Sequence, residues 1–264
     1  QEKGSKRMGK VLGIVNRKGG VGKTTTATTL SYLLSKEGCK VASIDFDGQR
    51  HTTKLCGVTA PEPLSVTIYD ILKCIVMNEE LPDKGSYMIR TETGVDLIPA
   101  NNKLDNFDKL MCDTDFAEYK LKEFVDTIKE QYDYILIDAP AGLGPGFQYA
   151  VCGADRALVV ATTDASSLRD AQRTVMELDR LGRGNLHLVV GRVEKKLLRS
   201  LHTTIDDAMD AAGLPLLGVV PEDRNVPYAL NTGIPLRECS NYAARAYENI
   251  ARRIMGQRNP LLRL

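Results

Sequence analysis

The chain has 264 residues, 43% of them hydrophobic and 26% charged, which is the balance of a globular domain. Thirty-five basic residues against 34 acidic give a net charge of +1, so global charge argues neither for nor against nucleic acid and only a local patch can. No apolar run approaches the roughly 20 residues of a spanning helix; no signal peptide is visible; and the six cysteines (Cys39, Cys56, Cys74, Cys112, Cys152, Cys239) contain no Cys-x-x-Cys pair, which excludes a local zinc knuckle or dithiol motif and fits inert thiols in a reducing cytosol.

Residues 1–7 are polar and lack an initiator Met, so Met8 is the expected native start, with an unstructured arm or expression remnant ahead of it. Residues 8–264 are read as one domain. The apolar run Val11-Leu-Gly-Ile-Val15 has the length of a buried strand. The glycine-rich stretch Arg17-Lys-Gly-Gly-Val-Gly-Lys-Thr-Thr25 follows, and then residues 26–36 with helical spacing at Leu30, Leu33 and Leu34. Residues 40–45 form a short strand ending in Asp45, with a loop over 45–50. Helical spacing returns over 65–78, at Ile68, Ile71, Leu72 and Ile75, and a short strand is expected over 94–99. Residues 116–131 read as a helix with Leu121, Phe124, Val125 and Ile128 inward, and 132–138 as a buried strand ending in Asp138. Strands over 157–162, 186–190 and 216–220 alternate with helices over 166–181, capped by a serine, and 203–212, stopped by Gly213. A long helix over 242–255 closes the chain.

Strands alternating with helices imply an α/β fold, a doubly wound and mostly parallel sheet with right-handed crossovers and helices on both faces. Coverage of both faces explains apolar strands that run without alternation. Ligands of such sheets bind at the carboxyl ends of the strands, where Arg17 to Thr25, Asp45 to Asp47 and Asp138 all fall.

A strand, a glycine-rich turn and a helix opening on Lys-Thr are the context of a phosphate loop. Gly19, Gly20, Val21 and Gly22 leave backbone N–H groups free to face anionic oxygens, and the helix N-terminus, through Thr24 and Thr25, adds partial positive charge. Lys23 reaches the β- and γ-phosphates, and the Thr24 hydroxyl ligates Mg²⁺. Asp138, closing Tyr134-Ile-Leu-Ile-Asp, matches the acid that helps hold Mg²⁺, often through water. Asp45 and Asp47 offer the polar groups needed to orient a water in line with the γ-phosphate.

Two departures from the common loop carry a resemblance: Arg17 stands where the first glycine is usual, and a second lysine, Lys18, opens the loop. Lys18-Gly-Gly-Val-Gly-Lys-Thr-Thr25 resembles the deviant phosphate loop of the MinD/ParA family of ATPases, over most of residues 9–256. The resemblance implies an ATP–Mg²⁺ site and cytoplasmic ATP hydrolysis in a homodimer, Lys18 reaching the partner's nucleotide. It implies water positioning by Asp47 and support of the metal shell by Asp45. Asp138-Ala-Pro-Ala-Gly142, Pro221-Glu-Asp-Arg-Asn-Val226 and residues 231–235 look MinD-like, and the resemblance places Pro221, Glu222 and Asp223 against adenine. Asn16, Asp45-Phe-Asp47-x-Gln49 and Thr52-Thr53 are closer to ParA. Where the family commonly has an adenine-contacting Asn, this chain has Gly191-Arg192, and Arg192 is expected to stack on the base instead.

The implied task is spatial positioning, such as division-site selection, with an activating protein partner and recruitment to membrane or nucleoid. The alternative is a ParA-like partitioning ATPase that binds DNA non-specifically, for which Arg180, Arg183, Arg192, Lys195, Lys196 and Arg199 are the candidate patch. An iron–sulfur reductase with the same core would need two interface cysteines, with Cys112 and Cys152 as candidates. A small-molecule kinase lacks a recognisable acceptor site. MinD proteins usually end in a basic amphipathic helix that binds membrane; the tail over 259–264 is too short for one and is expected to pack on the body.

Overall fold

The computed structural model describes residues 8–58, 66–111, 114–200 and 204–262. In chain order the elements are β1 (Lys10–Val15), α1 (Lys23–Lys36), β2 (Val41–Asp45), α2 (His51–Leu55), α3 (Ile68–Val76), α4 (Lys84–Tyr87), β3 (Ile89–Arg90), β4 (Asp96–Ile98), α5 (Phe107–Met111), α6 (Lys120–Ile128), β5 (Tyr134–Asp138), α7 (Pro145–Cys152), β6 (Arg156–Thr162), α8 (Ala165–Arg180), β7 (Leu186–Val193), α9 (Lys195–Ser200), α10 (Ile205–Ala212), β8 (Leu216–Pro221), α11 (Asn225–Thr232), α12 (Leu236–Cys239) and α13 (Tyr242–Ile254).

The strands form one eight-stranded sheet in the order β3-β4-β2-β5-β1-β6-β7-β8. Every pairing is parallel except β3 with β4. The order reverses about β1, β5 and β6, so their carboxyl ends border the crevice of a doubly wound sheet.

Strand side chains alternate between two apolar layers, as a pleat requires. Val11, Val15, Ile44, Ile135, Ile137 and Val159 face the layer that holds Leu72, Phe124, Phe147 and Leu178. Leu12, Ile14, Leu136, Leu158, Val160 and Val189 face the other, against Leu30 and Leu34 of α1 and Tyr247 and Ile250 of α13. Both faces are dry, which is why β2 and β5 are buried at every position.

Local chemistry sets the helix ends. Thr67 and Asp70 form a capping box on α3, and Thr204 and Asp207 form another on α10. Gly213 ends α10 in the left-handed region at φ 67°. The cap of α8 is Asp164 rather than a serine: its Oδ1 accepts from Ser167 N at 2.9 Å. The predicted helix over 116–131 is a 3₁₀ turn, α6 and a second 3₁₀ turn. The antiparallel β3 and the helices α2, α7, α9 and α11 lie in stretches without a helical or strand expectation. The tail packs back as expected, with Asn259 Nδ2 donating to Asn249 Oδ1 at 2.8 Å and Leu262 against the α13 layer. Among the described residues no helix is long and apolar enough to cross a membrane.

Candidate nucleotide site

The loop between β1 and α1 is held by its own start. Asn16 is fully buried; its Nδ2 donates to Val160 O at 2.6 Å and its Oδ1 accepts from Lys18 N at 3.0 Å. Arg17 N donates to Thr174 Oγ1, and Gly142 N donates to Arg17 O at 2.8 Å, which ties the loop to the segment after β5. Gly20 and Gly22 take φ values of 74° and 100°, a region that side-chain-bearing residues rarely occupy. Helix α1 starts with no side-chain cap and no acid in its first turn, so its orphan N–H groups and dipole are left for an anion.

Lys23 lies at that helix start, 7% exposed, with Nζ donating to Lys18 O at 3.1 Å. Burial pushes its pKa below the ordinary value, against the opposing pull of Asp138 and Asp47. A buried ammonium whose three donors meet one carbonyl acceptor among the described residues is a cation awaiting negative charge.

Asp138 and Asp45 are register partners at the ends of β5 and β2. Thr24 Oγ1 and Thr52 Oγ1 each donate to Asp138 Oδ2 at 2.8 Å, while Asp138 Oδ1 is buried without a hydrogen-bond partner. Burial, then repulsion from Asp45, pushes the Asp138 carboxyl up to about 7, and burial pushes Asp45 up to about 6. Both oxygens of Asp45 are taken: Thr53 N and Oγ1 donate to Oδ2 at 2.7 and 2.6 Å, and Asp47 N donates to Oδ1 at 3.2 Å. Asp45 therefore anchors α2, and Asp138 carries the bare oxygen. Asp47 sits partly exposed on the next loop, its Oδ1 accepting from Gln49 N at 3.0 Å.

These residues fit Mg²⁺. Among the described residues no cluster of three or more His, Cys, Asp or Glu forms a closed metal cage. A cation that keeps several waters and binds through few protein ligands and substrate phosphates needs no such cage. The bare Asp138 Oδ1 and the nearby Thr24 hydroxyl are oxygen donors of the kind such a cation takes.

Several of the expected residues are engaged within the chain itself. Lys18 Nζ donates to Asp164 Oδ1 at 2.9 Å within its own chain. Arg192, at φ 55° on a bulge where β7 shifts register against β8, pairs through Nε with Glu222 Oε2 at 3.0 Å. Two of the expected base contacts thus hold each other. Asp223 is engaged with Ser240 Oγ and with Asn225 N, and Pro221 ends β8.

The basic patch divides. Arg180 pairs with Glu177 and Arg183 donates to Cys152 O, both before β7, whereas Arg192 and α9 lie at its other end. Eight residues of strand place those ends about 23 Å apart at ~3.3 Å per residue. Of the two candidate cysteines, Cys152 is buried and Cys112 lies outside the described residues.

Thr52, Thr53 and Asp164 were not singled out as site residues from the sequence. The usable signal for the two threonines is a hydroxyl pair one turn beyond an acidic strand end; Asp164 is an acid just past β6 at a helix start.

Comparison with known proteins agrees with this geometry. A family model described as an AAA domain matches residues 9–188. The septum site-determining protein MinD of Bacillus subtilis is 35% identical over 265 residues, covering 96% of this chain and 92% of that protein. The MinC:MinD cell division complex of Aquifex aeolicus aligns at a TM-score of 0.81 and 31% identity, over 96% of this chain and 98% of that one. MinD of Pyrococcus horikoshii complexed with Mg-ADP aligns at 0.77 and 28%, over 94% and 96%. The fold, the phosphate loop with its two lysines, and a relative matched almost end to end agree: the chain belongs to the MinD/ParA family of ATPases.

Proposed function

We propose that this chain is a Mg²⁺-dependent ATP hydrolase working as an ATP-driven dimerisation switch in division-site selection or a similar positioning task. The observation that carries the reading is the bare, buried Asp138 Oδ1 beside Thr24 Oγ1 at the uncapped start of α1. The names of the B. subtilis relative and of the Mg-ADP and MinC complexes support the task, the nucleotide and a protein partner. Thr24 and Asp138 would hold Mg²⁺, which would supply positive charge to offset that of the phosphates. Gly19 to Gly22 and the first N–H groups of α1 cradle phosphate oxygens, and Lys23 neutralises them. Asp47, held by the Asp45–Thr53 anchor, orients the attacking water. Arg192, Pro221, Glu222 and Asp223 border the base, with the Arg192–Glu222 pair as its rim. Lys18 leaves Asp164 for the partner's phosphates when two chains close face to face.

Asp47→Ala is expected to bind ATP with Mg²⁺ as the parent does while losing turnover, measured by phosphate release alone, with DNA and with anionic liposomes. Parent-like turnover in the variant removes Asp47 from the mechanism. Absence of turnover in the parent under all three conditions overturns the ATPase reading. Stimulation by DNA alone would favour partitioning, for which exposed Lys196 and Arg199 on α9 remain the local support.

A further inference from the structure

The amino ends of β6, β7 and β8, at the edge of the sheet opposite the phosphate loop, border an open cavity of about 660 Å³. Arg156 opens β6, His187 is the second residue of β7, Leu216 and Leu217 open β8, and Arg253 and Arg258 come from α13 and the segment after it. None of these residues belongs to the nucleotide site.

The three arginines share one property: none is paired with a carboxylate among the described residues. Arg156 Nε donates to Asn185 Oδ1 at 3.3 Å, and Arg253 Nη1 donates to Leu217 O at 2.9 Å, which leaves the remaining guanidinium donors of both unassigned. Arg258 is exposed and makes no hydrogen bond or ion pair with the described residues. Asp155, the chain neighbour of Arg156, is paired with Lys129 at 2.8 Å, and Glu37 is paired with Arg252, the chain neighbour of Arg253, at 3.7 Å. His187, half-buried, lines the same cavity, and its Nδ1 is shielded from solvent with no hydrogen-bond partner among the described residues. Burial first, then the charges of Arg156 and Arg253, hold its imidazole below the ordinary pKa.

Three guanidinium groups with no carboxylate partner among the described residues line one cavity and raise its positive potential, which a bound anion offsets. We propose that this cavity binds a phosphomonoester dianion, gripped by Arg156, Arg253 and Arg258, with the half-buried His187 ring forming part of its wall. Guanidinium forks match phosphate oxygens two at a time, and two negative charges answer three cations better than a carboxylate does. The cavity exceeds a bare phosphate group, and Leu216 and Leu217 give the remainder an apolar wall against which an organic body packs. That body belongs either to a soluble phosphomonoester or to a lipid headgroup.

Inorganic phosphate is the first probe, titrated at constant ionic strength while the His187 imidazole is followed by NMR and assigned with His187→Gln. The readout is local to His187, so it does not depend on what the phosphate loop binds. A saturable shift is expected, with the apparent pKa of His187 raised. Arg258→Ala and Arg156→Gln are each expected to weaken the phosphate response roughly tenfold, as loss of a charge-assisted hydrogen bond should. Arg253 is left unchanged because it also holds the Leu217 carbonyl, and circular dichroism checks that the variants fold. No saturable shift, an equal response to chloride, or an undiminished response in both arginine variants overturns the proposal. Glycerol phosphate and phosphatidic acid vesicles separate the sources. Tighter binding of the former supports a soluble ligand. Flotation with the latter, lost in Arg258→Ala, supports a headgroup. A response to inorganic phosphate alone overturns the phosphomonoester and leaves a site for the free ion only.

Discussion

Lys23 shows at a single residue why this site needs an anion. Its ammonium is buried at the start of α1, and the one acceptor found for it is the Lys18 carbonyl at 3.1 Å. A buried charge left with so little compensation costs several kcal/mol, which a triphosphate returns on binding. Lys23→Ala is therefore expected to abolish ATP binding in a calorimetric titration; tight binding in that variant would reject the phosphate-loop assignment. The carboxylates opposite Lys23 carry a pH prediction. Asp138 and Asp45 titrate near 3.8 when unfolded and are raised, mainly by burial, to about 7 and about 6 in the folded protein. The folded state then binds more protons than the unfolded state between those values. The stability this contributes is complete below the unfolded pKa and is lost as pH rises through the folded one. Without metal or nucleotide, the melting temperature should fall from pH 5 to pH 8, and Asp138→Asn should flatten the slope. An equal slope in the two proteins would remove the pair as its cause. Lys23, Thr24 and Asp138 were legible in the sequence because motif spacing specifies them. Thr52 and Thr53 were present as letters, but their pairing with Asp138 and Asp45 depends on how α2 turns back over β2 and β5.

Elements were legible in proportion to their apolar content. β1, β2, β5, β6, β7 and β8 are long buried runs, and α1, α3, α6, α8, α10 and α13 show helical apolar spacing, so both kinds stood out. β3 has two residues and no periodicity of its own; it exists because it pairs with β4. α7 opens on Pro145 and contains Gly146, poor helix formers, and is held by Phe147, Tyr149 and Val151 in the core. The basic patch misled because residues close in the sequence were divided between the two ends of β7. Packing between elements yields a test at Gly218 on β8. A Cβ there would overlap Cγ1 and Cδ1 of buried Ile250 on α13. Gly218→Ala is expected to destabilise the protein by about 1–3 kcal/mol through overpacking, read as a lower urea midpoint. The same substitution should cost less on an Ile250→Ala background, which removes the overlapping atoms. An equal cost on both backgrounds would show that the contact with α13 is not its origin.

For the whole molecule, the question is what the carboxyl edge of the sheet does with two lysines at one loop. Lys23 is turned into its own chain, whereas Lys18 is a third exposed and holds Asp164, itself half exposed, at 2.9 Å. Partial burial works against the Asp164 carboxylate, but hydrogen bonds from Thr162, Lys18 and Ser167 N hold its pKa down to about 2. An exposed pair of this kind is worth at most about 1 kcal/mol, so little energy retains Lys18 in its own chain. In the proposed sandwich, the partner's triphosphate offers more negative charge than one carboxylate, in a place that closure dries. Losing the lysine there leaves interfacial phosphate charge unpaired, a cost on the order of a few kcal/mol. Binding of ATP to a single chain relies on Lys23, the glycines and Thr24 and should survive. Lys18→Ala is therefore expected to bind ATP as a monomer, fail to dimerise and turn over poorly. The measurement is light scattering with ATP and Mg²⁺ on the Asp47→Ala background, where slow hydrolysis preserves the ATP state, with and without the Lys18 change. Equal dimer populations would leave Lys18 a partner of Asp164 alone and the chain a phosphate-loop ATPase whose switch works without a lysine crossing between subunits.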